Sequence, residues 1–245
     1  MTESRQFAGI RVVEFGQFIA VPFCGQLLAE GGAQVIKVES LEGDPVRQLA
    51  PVAPGETRHF ISRNRGKHSL PLDLKHRDAR RIIDALLGRA DVVLFNFWPG
   101  LAEELGLDYA TLSGRYPRLI VGSVTGFGTR GPDAMLAGMD LVLQARSGLM
   151  ASNGRVKDGV PSPGDSPIAD YVCALSLAYG IASALLRRTA TGRGGHVEAA
   201  LLMAALLAQN NSMVRVASED VPRNDAVLAE LATLRARGAS FEAQA

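Results

Sequence analysis

Short apolar runs alternate with amphipathic stretches through the first half of the chain. Ile10–Phe15, Gln34–Val38, Lys67–Leu72, Asp91–Phe95 and Leu119–Val124 are brief and mostly apolar, the pattern of strands buried inside a sheet. Phe23–Glu30 reads as a helix stopped by Gly31 and Gly32, and Leu101–Leu105 as a short one. Asp78–Leu87 gathers Ile82, Ile83, Leu86 and Leu87 on one side at helical spacing. Strands separated by helices predict parallel β-α-β units, hence an α/β protein with a Rossmann-like doubly wound sheet flanked by helices. Such a sheet binds ligands beyond the carboxyl ends of its strands, where the segment 96–100 directly follows one.

After Phe127 the texture changes. Gly128–Gly138 is loop-like, Asp140–Arg146 looks helical, and Ser152–Pro167 is rich in Gly, Pro and Ser. Two long helices are predicted, Asp170–Arg188 and Val197 to about Val216, joined by a turn at Thr189–Gly195. A last helix, Asp225–Arg237, carries Leu228, Leu231 and Leu234. The expected organisation is one large domain over residues 1–217, then a linker and helix over 218–245. The most apolar stretch, Tyr171–Leu186, is short for a bilayer span, holds Ser176 and Ser183, and ends at Arg187 and Arg188; it reads as a buried helix. Met1–Phe7 is polar and lacks the apolar run of a signal peptide, so a cytoplasmic, non-membrane protein is expected.

Composition narrows the classes. Of 245 residues 47% are hydrophobic, enough for a substantial core, and 26 basic against 25 acidic residues give a net charge of +1, without the basic excess of a nucleic-acid binder. The two cysteines, Cys24 and Cys173, lie in apolar stretches, and the four histidines (His59, His68, His76, His196) show no metal-ligand spacing, so neither a disulfide scaffold nor a metal site is expected. No Gly-x-Gly-x-x-Gly follows the first strand and no P-loop occurs, so the usual dinucleotide and ATP signatures are missing.

Asp170 stands between a Gly/Pro loop and an apolar helix. It can be a helix N-cap, a carboxylate nucleophile facing a loop-lined cavity, or both. Asn96-Phe97-Trp98-Pro99-Gly100 is either an ordinary strand-to-helix turn or a ligand loop. Arg63, Arg65, Lys67 and His68, with Lys75, His76 and Arg77 beyond the strand, form either a solvated rim or a phosphate clamp. His196 reads as a helix entry, and Ser147 and Ser166 lack the context of a nucleophile.

Together these pieces resemble the class III CoA-transferases, the CaiB/BaiF family, which includes formyl-CoA transferase, carnitine CoA-transferase and α-methylacyl-CoA racemase. The opening GIRVVEF (9–15) looks like the family's first strand, and LLAEGGAQVIKVE (27–39) like its LGADVIKVE stretch. NRGKHSLPLDLK (64–75) resembles NRGKRSIALDLK, DVVLFNFWPG (91–100) resembles ADVLVENFRPG, and residues 120–131 resemble SGFGQTGP. Ile168-Ala-Asp170 with its helix, then residues 188–197, resemble the family's Asp-Tyr and Thr-Gly segments. The match runs in order over residues 9–208.

The resemblance implies a CoA-transferase in which Asp170 attacks an acyl-CoA, passing through an aspartyl anhydride and an aspartyl-CoA thioester to a carboxylic acid acceptor. It implies CoA contacts at Ile19, Ala20, Leu72, Asn96 and Phe97, no permanently bound cofactor, and an interlocked dimer. In this resemblance Glu104 stands where formyl-CoA transferase has an Arg that helps hold CoA, and Ser40, Thr125 and Ala137 replace other cationic contacts, so the phosphate clamp is expected from Arg47, Arg65, Lys67 or Lys75. Met139 stands where the family's racemases have a proton-transferring His, which favours transfer over racemisation. Family members are longer and carry a second, smaller domain. The alternative to a self-sufficient enzyme is therefore a CoA-binding subunit that works with a related chain, as a homodimer or heterodimer.

Overall fold

The computed structural model describes residues 5–153, 155–164, 166–209 and 233. In chain order the elements are β1 (Arg11–Glu14), α1 (Ala20–Glu30), β2 (Gln34–Glu39), a 3-10 turn (Pro45–Gln48), β3 (Pro51–Ala53), β4 (Glu56–Thr57), α2 (Arg58–Asn64), β5 (His68–Pro71) and α3 (Ala79–Leu87). Then come β6 (Val92–Phe95), α4 (Leu101–Glu104), α5 (Tyr109–Arg115), β7 (Ile120–Thr125), α6 (Asp140–Arg146), α7 (Leu149–Ser152), β8 (Val156–Lys157), β9 (Val160–Pro161), α8 (Ile168–Thr191), β10 (Gly195–Ala200) and α9 (Leu201–Leu207).

Six strands form one sheet in the order β10-β7-β6-β1-β2-β5, and every pairing in it is parallel. The chain leaves β1 toward β2 and β5, then returns to β6 on the other side. The order therefore reverses between β1 and β6, the point at which such sheets open a crevice for a ligand. Alternation along the strands sends Val12 to one face and Val13 to the other. Val12 packs with Leu28 of α1 and Leu177 and Ile181 of α8. Val13 packs with Ile83 and Leu87 of α3 and Leu112 of α5. This is the sandwich of helices around a parallel sheet that the hydrophobic pattern predicted.

The main correction concerns residues 197–216. The Ala/Leu-rich run after Gly195 predicted a long helix, but residues 195–200 form β10, with Val197 opposite Gly122 and Glu198 opposite Ser123. The helix begins only at Leu201. Pairing with the free edge of β7 overrides the helix preference of the side chains. α2, α5 and the small β3–β4 and β8–β9 pairs were not anticipated. The boundary expected at 217/218 lies outside the described residues, as does the helix expected over 225–237 apart from Thr233.

α8 has 24 residues and is long and apolar enough, by length and composition alone, to cross a membrane. Here it packs against α1, β7, β10 and α9. Arg188 near its C-terminal end binds Asp91 at 2.9 Å, and Gly192 ends it in the left-handed conformation (φ +70°). Cys24 and Cys173 are buried free thiols.

Beneath the β1–α1 loop lies a buried quartet of charges, Glu14, Lys37, Asp44 and Lys67. The Lys67 ammonium is 2.8 Å from Glu14 Oε2 and donates to Pro22 O (2.7 Å) and Asn64 Oδ1 (2.9 Å). Lys37 contacts Asp44 (2.9 Å), Glu14 (3.3 Å) and the carbonyl of Gly16. Gly25 is required here by space: a Cβ on it would lie 1.8 Å from Glu14 Oε2.

Candidate active site

The loops after β1 and β6 meet through a reciprocal amide clasp. Gln17 N–H donates to Asn96 Oδ1 (2.9 Å), and Asn96 Nδ2 donates to the Gln17 carbonyl (3.0 Å). The loop is also held from behind, because Lys37 grips the Gly16 carbonyl and Asp44 Oδ1 accepts from Phe18 N–H at 3.4 Å. Phe18 sits at φ +62°, a conformation that costs a non-glycine residue energy and persists because the contacts around it fix the chain.

Above this clasp lies a cavity of about 590 Å³, reached from the carboxyl ends of β1, β6 and β7. Asp170 opens into it, as do Ile19, Ala20, Asn96 and Phe97. The structure thus brings together the expected nucleophile and four of the expected CoA contacts. Leu72 does not line the cavity; it packs, as Phe97 also does, against the cluster on the α3 side of the sheet.

The expected cations lie elsewhere. Lys67 was expected to face a phosphate, but its ammonium is buried against Glu14, and burial pulls it down to about 8. It is a structural cation. Arg65 pairs with Glu30 at the surface, and Lys75 is exposed just beyond β5. Arg47 is clipped to Glu39 (2.8 Å) and stacks over the Phe60 ring (3.5 Å to its centre). Burial alone would raise the Glu39 carboxyl, yet the bonds from Arg47 and Ser69 hold it down to about 2.

Asp170 is the third residue of α8, not its N-cap. The helix begins at Ile168, and a second carboxylate does the capping: Asp140 Oδ1 accepts the Asp170 N–H at 3.0 Å, while its Oδ2 accepts from Gln144. The Asp170 side chain faces the N-terminus of α1. That helix starts at Ala20, three residues before the expected Phe23, because Pro22 is tolerated in a first helical turn. Its first N–H, on Ala20, faces the Asp170 carboxylate and favours its charged form. Burial, then the negative charge of Asp140, push the Asp170 carboxyl up to about 7, against the pull of Arg63 and of that N–H. Cys173, one turn on, is pushed up to about 12 by burial and then by Asp170, so it stays a thiol and offers no rival nucleophile.

Asp140 is placed by two glycines. The backbones of Gly126 and Gly138 touch, and a Cβ on Gly138 would stand 2.3 Å from Gly126 Cα. Gly138→Ala is expected to prise these segments apart, move Met139 and Asp140, and lower turnover at least tenfold, with a stability loss of about 1–3 kcal/mol. Steady-state rates and urea titration check this, and a variant with parental turnover would show that Asp140 is held by other means.

The far wall of the cavity was not foreseen. His196 lies on β10 rather than at a helix entry; its Nε2 is 2.8 Å from Ser123 Oγ, and its ring stacks on Tyr109 (5.2 Å, 14°). Burial lowers its pKa, which keeps the ring neutral. The signal that could have found this wall was the β-α-β rhythm, since a parallel strand followed by a long helix calls for a further strand. Among the described residues no Lys or Arg lines the cavity.

The sequence pattern of CoA-transferase family III matches residues 7–236, and this chain belongs to that family. Among its relatives, the succinyl-CoA–L-malate CoA-transferase beta subunit of Chloroflexus aurantiacus is 39% identical over 202 residues, covering 82% of this chain and 50% of that protein. The cinnamoyl-CoA:phenyllactate CoA-transferase of Clostridium sporogenes is 34% identical over 208 residues, covering 83% of this chain and 50% of that one. The crystal structure of a CaiB/BaiF family protein from Brucella suis superposes with a TM-score of 0.79 at 36% identity, covering 85% of this chain and 56% of that one. The chain thus spans about half the length of the curated relatives it matches.

Proposed function

We propose that this chain carries the nucleophile of a CoA-transferase that moves CoA from an acyl-CoA to a carboxylic acid, with Asp170 as the attacking group. The observation that carries the reading is the Asp170 carboxyl itself, on a cavity wall with the Ala20 N–H and the start of α1 facing it. The ionised carboxylate attacks the thioester carbonyl, the C–S bond breaks, and CoA leaves as a thiolate while an aspartyl–acyl anhydride forms. The thiolate then attacks the aspartyl carbonyl of the anhydride, giving aspartyl-CoA thioester and releasing the first acid. The acceptor carboxylate attacks that thioester, and its C–S bond breaks to release the thiolate and leave an aspartyl–acceptor anhydride. The thiolate then attacks the acceptor's carbonyl, giving the new acyl-CoA and expelling the Asp170 carboxylate. The N–H groups at the start of α1 are suited to the developing oxyanion. Met139 lines the same cavity and cannot carry a proton, which disfavours racemisation.

In this reading the pantetheine passes Ile19, Ala20, Asn96 and Phe97, and the nucleotide lies toward Leu72, with Lys75 and Arg65 as the available cations. CoA is substrate, and no cofactor is held permanently. The protein works in the cytoplasm as a dimer, with itself or with a related chain. One observation favours a partner: Leu175, Tyr179 and Leu186 are exposed along the outer side of α8. The test is chemical trapping. After incubation with an acyl-CoA, hydroxylamine or borohydride treatment and digestion should mark Asp170. An unmodified Asp170 in both the isolated chain and its assembled form would overturn the proposal.

A further inference from the structure

The proposed reaction leaves the acyl group open, and the cavity walls constrain it. Five large apolar side chains line the cavity while remaining exposed: Trp98, Met135, Leu136, Met139 and Leu141, from 46% exposed at Leu136 to 72% at Met135. So much bare apolar surface gathered in one concavity marks a binding surface rather than scattered exposure. The polar part of the wall is acidic or neutral. Glu103, Asp108, Asp140 and Asp170 line it, His196 is held neutral by burial, and no Lys or Arg does so among the described residues. Arg63, the cation whose charge reaches Asp170, is buried outside the cavity wall with its guanidinium bonded to the His59 carbonyl (3.0 Å) and Tyr171 Oη (2.9 Å).

A second carboxylate on the acyl chain would therefore lose its water next to fixed negative charge and meet no Lys or Arg among the described residues of the wall. An apolar chain would cover the exposed residues at no such cost. We infer that the acyl donor is the CoA thioester of a monocarboxylic acid with an apolar chain, and that dicarboxylic acyl groups are rejected. This rests on the CoA-transferase reading for its chemistry, but on the cavity wall for its selectivity.

Pentanoyl-CoA and glutaryl-CoA isolate the variable, since their acyl chains have equal length and differ in the terminal carboxylate. With the full chain in its assembled form, kcat/KM for pentanoyl-CoA is expected to exceed that for glutaryl-CoA by at least about 30-fold. Met139→Arg places a cation at an exposed position of the wall and should narrow that ratio at least tenfold. Competition binding to Asp170→Asn reads the same preference without turnover. If neither thioester is turned over but pentanoyl-CoA binds more tightly, the transferase reading fails and the selectivity stands. Equal or reversed binding, or no binding of either thioester, overturns the selectivity itself.

Discussion

Asp170→Asn is expected to lower CoA transfer by on the order of 10⁴-fold, because the amide keeps the shape of the side chain and removes the nucleophile. The fold should gain stability at the same time. The folded carboxyl sits near 7 against an ordinary 3.8, because burial and Asp140 oppose its ionisation. The folded state therefore holds a proton that the unfolded state has released across that interval. As pH rises from about 4 through 7, ionisation of Asp170 in the unfolded state, which the native state does not share, lowers the stability of the fold progressively, to a limit on the order of 2–4 kcal/mol. The Asn variant escapes that cost. It should match the parent at pH 4 and melt several degrees higher at pH 8, as scanning calorimetry would show. Activity of the parent should rise with pH and level off above about 7, since only the carboxylate attacks. The groups around Asp170 that bear on this profile are Asp140, Arg63 and Cys173. Residual transfer within tenfold of the parent would remove Asp170 from the mechanism.

The sheet was legible in the sequence because its strands are short apolar runs with helices between them. Those runs appear as β1, β2, β5, β6 and β7 within a residue or two at most ends. The sixth strand was not legible. Residues 195–200 are GHVEAA, and their neighbours are Ala and Leu, good helix formers. Only the unpaired edge of β7 makes a strand of them, and an edge is a property of the assembled sheet. The cost of that misreading was His196, which cannot be placed beside Ser123 until β10 lies next to β7.

At the site, Asp170 and Asn96 were singled out by their positions after a loop and a strand, and both line the cavity. The environment of Asp170 was not, because Asp140 is 30 residues away and the N-terminus of α1 depends on where that helix starts. Within the basic run, Lys67 was misplaced for a related reason. Sequence shows that Lys67 is charged, but not that Glu14, 53 residues earlier, lies under it. A cation facing solvent and one sealed beneath a loop are identical until the strands are stacked.

Glu14→Gln should be among the most damaging substitutions to folding away from the nucleophile. Glu14 is fully buried, and its carboxylate meets both Lys67 and Lys37. The amide fits the same space against Gly25 but cannot balance Lys67, whose ammonium already lies near 8 because burial opposes its charge. Stripping one partner from a buried pair costs about 3–5 kcal/mol, a large part of a typical domain's stability. The damage should also reach the cavity, because Lys67 holds the Pro22 carbonyl in the first turn of α1 and Lys37 holds Gly16 beneath the clasp. Urea unfolding of Glu14→Gln, Lys67→Met and the double variant separates charge from packing. If the pair matters through its charges, the double variant should lose less than the sum of the two single losses, since a methionine beside an amide leaves no buried ammonium without its counter-charge. Additive losses, or a Glu14→Gln variant within 1 kcal/mol of the parent, would mean that water or neighbouring groups already compensate these charges and that the loop is held by the Asn96 clasp alone.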